Sequence, residues 1–117
     1  MLAGMAPTGA EVSFIEIGVS DPSKSTLFLE QMFGWKFHPI GQPAEGWLQA
    51  PSFKVGVHGG DPTWGFFVYF GVPDLEAAIA EVNRLGGAAE IPTDEPGFGR
   101  FCTCRDQQGL RFGLHQC

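Results

Sequence analysis

A carboxylate and two imidazoles are the side chains here whose type and placement could do chemistry. Glu16 lies between two isoleucines in VSFIEIGV (12–19), while His58 and His115 close the matching stretches FKVGVH (53–58) and LRFGLH (110–115). An acid among apolar strand residues is rarely buried without a partner. Glu16 is therefore expected to pair with a cationic ligand, to act as a base, or to bond Lys54, Arg111 or Tyr69. Glu16, His58 and His115 together would suit a transition metal, although no tight ligand spacing supports that reading. The rings of Phe14, Trp47, Trp64, Phe67 and Tyr69 offer stacking walls for a flat or cationic ligand; filling the sheet interior or a dimer contact would use the same residues. Lys54 and Arg111 could hold an anionic group, and solvated strand charges would look alike.

What must position these groups is a repeated unit. Shifting the sequence by 53 places Phe14 on Phe67, Gly18 on Gly71, Asp21 on Asp74 and Gly34 on Gly87; shifting it by 57 places FKVGVH on LRFGLH. A repeat of this period is a supersecondary unit that cannot bury its apolar face alone. In the first copy the alternation over 12–19 predicts a strand. Asp21-Pro22 starts a helix that runs through Leu29 and Met32 to Gly34. Short strands follow near 35–40, 46–50 and 53–58, set off by Gly41, Pro43, Gly46 and Pro51. The second copy repeats the order: a strand over 65–72, a helix after Asp74 with Leu75, Ala78, Ile79, Val82 and Leu85 on one face, then strands near 88–92, 99–105 and 110–115.

Each copy thus reads βαβββ, as modules of about 11–58 and 65–115 joined by 59–64 in one domain spanning 1–117. Alternate strand residues share a face. Ile15, Ile17, Val19, Val55 and Val57, with Phe112 and Leu114, should pack on the helices. Phe14, Glu16, Gly56 and His58, with Phe67, Tyr69, Gly113 and His115, should face the other way and line a cup.

The segments IEIGVSDPSKSTLFLEQMFGW, WGFFVYFGVPDLEAAIAEVNRLGGA and GFGRFCTCRDQQGLRFGL are similar to those of the vicinal oxygen chelate superfamily, in particular its small glyoxalase and bleomycin-resistance members. The resemblance spans Glu11 to His115. It implies an α+β fold in which two βαβββ modules form a curved, cup-like mixed sheet with helices outside. Metal-dependent members place His on the first strand of each module and Glu on the last. Those slots hold Phe14, Phe67, Gly56 and Gly113 here, none of which ligates. The resemblance therefore implies a metal-free binder of a small aromatic or cationic molecule, with no cofactor expected, rather than a glyoxalase I. The alternatives are an enzyme (lyase, isomerase or dioxygenase) using an irregular divalent-metal site or Glu16 with a histidine as acid and base, and a non-catalytic interaction protein. Relatives also imply a homodimer.

Composition narrows the partners. The 117 residues are 44% hydrophobic and 17% charged, enough apolar content for a core and too little charge for disorder. A net charge of −6 with no basic run argues against nucleic acid. No apolar run approaches a membrane span, and the opening MLAGMAPTGA lacks a signal peptide's basic and apolar stretches. Cys102 and Cys104 sit two apart on an expected strand and point the same way, too far apart for a comfortable disulfide, and read as small apolar residues. Reduced thiols in a cytoplasm are the expectation, with no role assigned to Cys117. Asp21 and Asp74 read as helix caps, and Arg100 and Asp106 as turn residues.

Overall fold

A computed structural model describes residues 9–63 and 65–117, with the backbone alone for 42–44. Its contacts group the chain into two compact units, one of residues 14–67 and one of residues 9–13 with 68–117.

In the unit of residues 14–67, β1 (Val12–Gly18) leads to α1 (Pro22–Phe33), then β2 (Lys36–Ile40), β3 (Gln42–Gln49) and β4 (Lys54–His58). Asp21, in an extended conformation, starts α1: its Oδ1 accepts the Lys24 N–H at 3.3 Å and the Ser23 hydroxyl at 2.7 Å. Those two donors hold the Asp21 carboxyl below the usual carboxylate range. Pro22 fills the first helical position, where no amide donor is needed. Gly34, at φ 72°, ends the helix by donating its N–H to the Glu30 carbonyl at 2.9 Å. The strands lie in the order β2-β3-β4-β1, with β4 parallel to β1 and the other pairs antiparallel. Ile17, Val19, Leu29, Leu48, Val55 and Val57 form the buried core, with Ile15, Trp35, Phe37 and Phe53 against it. Burying each such side chain stabilises by about 1.5–3 kcal/mol relative to exposure, so this face holds α1 in place.

The second unit repeats the plan. β5 (Gly65–Val72) leads to α2 (Leu75–Arg84), β6 (Ala88–Ala89), β7 (Thr93–Glu95), β8 (Gly99–Arg105) and β9 (Arg111–Gln116). Asp74 caps α2 by accepting the Ala77 N–H at 3.1 Å. β9 is parallel to β5 and antiparallel to β8, and both β6 and β7 pair with β8. Val72, Leu75, Ala78, Cys102, Cys104 and Leu114 are buried together, with Ile79, Val82, Ala89 and Phe112 beside them. Arg100 on β8 donates to Glu76 of α2 and to Asp94 of β7, so it braces three elements rather than a turn. Asp106 does serve a turn, accepting the Gln108 and Leu110 amides at 2.8 Å each.

The tandem α+β architecture agrees with the sequence, and three details correct it. β3 begins at Gln42 rather than 46, because Pro43 and Gly46 sit within a strand whose β2 partner shifts register between Pro39 and Ile40. The strand expected over 88–92 shrinks to two residues, and a short β7 appears between Pro92 and Pro96. Leu85 is 60% exposed: it falls on the C-cap of α2, where helical spacing no longer sets its direction. α1 does run through Leu29 and Met32 to the Gly34 cap, with Met32 exposed in its last turn. No described helix is long and apolar enough to cross a membrane.

Candidate functional site

Strand pairing brings the expected site residues of the first unit onto the face opposite α1. In the parallel register Phe14 lies beside Lys54, Glu16 beside Gly56 and Gly18 beside His58; on the other side of β4, Trp47 lies beside Gly56. Gly56 is the bare centre of this face. A Cβ built there would lie 2.7 Å from Phe14 Cζ and would also collide with Glu16 Oε1. Phe14 and Glu16 therefore reach across the glycine, using space that any other residue would fill.

His58 stands beside that carboxylate, its Nε2 3.4 Å from Glu16 Oε2 and its Nδ1 2.8 Å from Asp61 Oδ2. The chain reaches Asp61 through Gly60, whose φ of 81° suits glycine. Asp61 accepts the Nδ1 hydrogen, which fixes the ring and aims Nε2 at Glu16. A bare nitrogen facing a carboxylate would set lone pairs against each other, so one proton must sit on Nε2 or on Glu16. The arrangement is a carboxylate–imidazole–carboxylate line that can hold and release a proton. Lys54 lies with its Nζ 4.7 Å above the Trp47 ring, whose neighbour His38 stacks at 4.8 Å. The ring that receives Lys54 thus already attracts a cation. Among the described residues, Trp47 Nε1 is the buried side-chain polar atom without a partner. The sequence reading missed Asp61 and His38. The signal for Asp61 was its place three residues after His58 beyond a Gly-Gly turn.

The second unit arranges its own residues differently. Tyr69 lies beside Gly113, and a Cβ on that glycine would sit 2.8 Å from the ring's Cγ, so the ring covers the glycine. Tyr69, Phe98 and Phe101 meet edge to face, with centroids 5.2–5.8 Å apart. His115 stacks flat on Phe98 at 4.0 Å, with Nε2 2.6 Å from the Phe98 carbonyl oxygen and Nδ1 3.1 Å from Ser13 Oγ. Arg111 opens β9 opposite Arg105; Phe67, the last residue of the unit of residues 14–67, is half-buried on β5. Trp64 lies outside the described residues. Cys102 and Cys104 are buried with their sulfurs 3.6 Å apart and are free thiols. Their shared hydrogen bond lowers the tendency of Cys102 to hold its proton, while that bond and burial push the Cys104 thiol up.

A divalent ion bound as in metal-dependent relatives does not fit these residues. Phe14 and Phe67 offer no donor atom, and the glycines in the other two slots lie under Phe14, Glu16 and Tyr69. Among the described residues, no three His, Cys, Asp or Glu side chains gather to hold a metal.

A glyoxylase-like domain-containing protein of Didymella fabae is 31% identical to the chain over 91 residues, covering 66% of this chain and 69% of that protein. The chain belongs to the glyoxalase-like family of the vicinal oxygen chelate superfamily. No family model matches this glyoxalase-like protein. Its fold is shared with a hypothetical protein of Bacillus halodurans C-125 at 14% identity, TM-score 0.73, covering 94% of this chain and 96% of that one. It is shared also with methylmalonyl-CoA epimerase of Mycobacterium tuberculosis at 13% identity, TM-score 0.72, covering 97% and 94%. A Streptomyces coelicolor methylmalonyl-CoA epimerase in complex with 2-nitronate-propionyl-CoA matches at 15% identity, TM-score 0.68, covering 91% and 93%.

Proposed function

We propose that this glyoxalase-like protein binds a small organic molecule on the strand face carrying Phe14, Glu16, Trp47 and His58, without a metal at the positions its metal-dependent relatives use. The observation that carries the reading is the cover over Gly56: where a ligating glutamate would stand, the face presents a phenylalanine ring and a carboxylate held by an imidazole. Rings favour a flat ligand, and the carboxylate favours a cationic or proton-donating group on it. Phe67 enters the reading as a further contact residue of the same unit, and pairing of two copies as its assembly.

Thermal melting with a panel of aromatic amines and acyl-CoA esters, each with and without EDTA, tests it. A ligand at about a hundred times its Kd stabilises by about 2.7 kcal/mol, a shift of several degrees that EDTA leaves unchanged. No shift across the panel, together with a melting point that EDTA lowers, would overturn the reading.

A second reading, an acid–base enzyme, is favoured by the Asp61–His58–Glu16 line. A base oriented by a second carboxylate is the arrangement that proton abstraction needs. Deuterium uptake from solvent into methylmalonyl-CoA, a ligand of one structural neighbour, would support it if the uptake vanished in Glu16→Gln.

A further inference from the structure

We propose that Cys117 is a thiol activated by His115 and that it exchanges with low-molecular-weight disulfides. The site lies in the unit of residues 9–13 with 68–117 and stands independently of the ligand-binding reading.

The argument begins with the imidazole. Its stacking on Phe98 at an interplanar angle of 3° and its 2.6 Å contact to the Phe98 carbonyl hold the ring still. A carbonyl oxygen only accepts, so Nε2 carries a hydrogen. In the neutral ring Nδ1 is then a bare acceptor. Two side chains that can give it a proton come within reach, Ser13 Oγ at 3.1 Å and Cys117 Sγ at 3.7 Å. Both have a second acceptor: the Tyr69 carbonyl for Ser13 at 3.4 Å, and the His115 carbonyl for Cys117 at 3.6 Å. The two differ in chemistry. Thiols release a proton near neutral pH and aliphatic hydroxyls do not, so proton transfer to Nδ1 leaves a thiolate rather than an alkoxide.

The surroundings favour the sulfur. Gly71 makes room for it, since a Cβ there would stand 3.0 Å from Sγ. The Cys117 amide donates to the Val72 carbonyl at 2.9 Å, which anchors the residue beyond the last strand. Cys117 is exposed, whereas Cys102 and Cys104 are 2% and 1% exposed, so exchange is confined to one sulfur of three. In the exchange, Nδ1 takes the Sγ proton and the thiolate attacks one sulfur of the small disulfide. That disulfide's S–S bond breaks as the mixed disulfide forms. The leaving thiolate departs with the electron pair and recovers the proton from the imidazolium. The Cys117 sulfur is oxidised and the departing sulfur reduced.

Stopped-flow mixing of the native protein with dithionitrobenzoate, followed by intact-mass analysis after oxidised glutathione, tests the site. The expected result is a single fast thiol, about tenfold faster than free glutathione near neutral pH and slowed about tenfold by His115→Ala. Ser13→Ala removes the competing hydroxyl and should leave the rate unchanged or raise it. Gly71→Ala crowds the sulfur and should lower it. The buried pair reports folding: if His115→Ala makes three thiols reactive, that variant has unfolded and the decision passes to Ser13→Ala and Gly71→Ala. A Cys117 rate equal to that of glutathione, or indifferent to a folded His115→Ala, overturns the proposal. So does a Ser13→Ala rate as low as that expected of His115→Ala.

Discussion

Adding one methyl group at Gly113 sets two effects against each other. Alanine restricts the unfolded chain more than glycine does, which favours the folded strand by roughly 0.5–1 kcal/mol. Against it stands the Tyr69 ring, whose Cγ would lie 2.8 Å from the new carbon, while carbons at rest sit about 3.5–4.0 Å apart. The ring must move by about 1 Å. It has little freedom to do so, because the clash is at its root beside the backbone and its edges meet Phe98 and Phe101. Overpacking of this kind costs roughly 1–3 kcal/mol, and an off-rotamer χ adds about 0.5–1.5 kcal/mol. The net expectation for Gly113→Ala is a loss of about 2 kcal/mol, or roughly 8 °C in Tm for a chain of this size. Urea denaturation of Gly113→Ala, Tyr69→Ala and the double variant measures it. With the ring gone the methyl group finds room, so the cycle should show a coupling of about 2–3 kcal/mol. A neutral or stabilised Gly113→Ala, or additive single effects, would refute the packing of Tyr69 on this glycine.

Leu75, the first residue of α2, is completely buried, and Leu75→Ala should cost about 3 kcal/mol in chemical denaturation. Loss of the α2 cap in Asp74→Ala should cost about 1 kcal/mol, read in the same assay. Asp21 and Glu81 are held below the ordinary carboxyl values of 3.8 and 4.5, chiefly by the Ser23 hydroxyl and the Arg84 guanidinium respectively. Their stabilisation is complete above those values and is lost as pH falls through the lower folded ones, so circular dichroism during acid titration should show stability declining below about pH 4. Asp61→Asn keeps the shape but frees the His58 ring, and calorimetry should find weaker binding of whichever panel ligand shifts the melting point, by about tenfold.

The helices, their caps and the core-facing parity were legible in the sequence because each depends on neighbours within a few residues. Asp21 and Asp74 announce their helices, and Ile17, Val55 and Leu114 alternate with polar or small residues as half-buried strands do. β7 was not legible, since its three exposed residues carry no alternation and are held by pairing to β8. The start of β3 was hidden because Pro43 and Gly46 usually mark turns, yet both lie in a strand whose partner bulges. Of the candidate site, the shared face of Phe14, Glu16, Gly56 and His58 followed from period-two reasoning. The Asp61 contact did not, because its loop reads only as punctuation between modules. Ser13 and His115 meet across a separation of 102 residues, which no local pattern encodes.

The two halves carry apolar clusters with no residue in common, one around Leu48 and one around Leu75. A repeat whose halves each supply their own scaffolding lets one half change while the other stays intact. Divergence is already visible in what the equivalent histidines touch: an acid pair around His58, a hydroxyl and a thiol around His115. Self-sufficient cores thus leave each copy of the repeat room for separate chemistry.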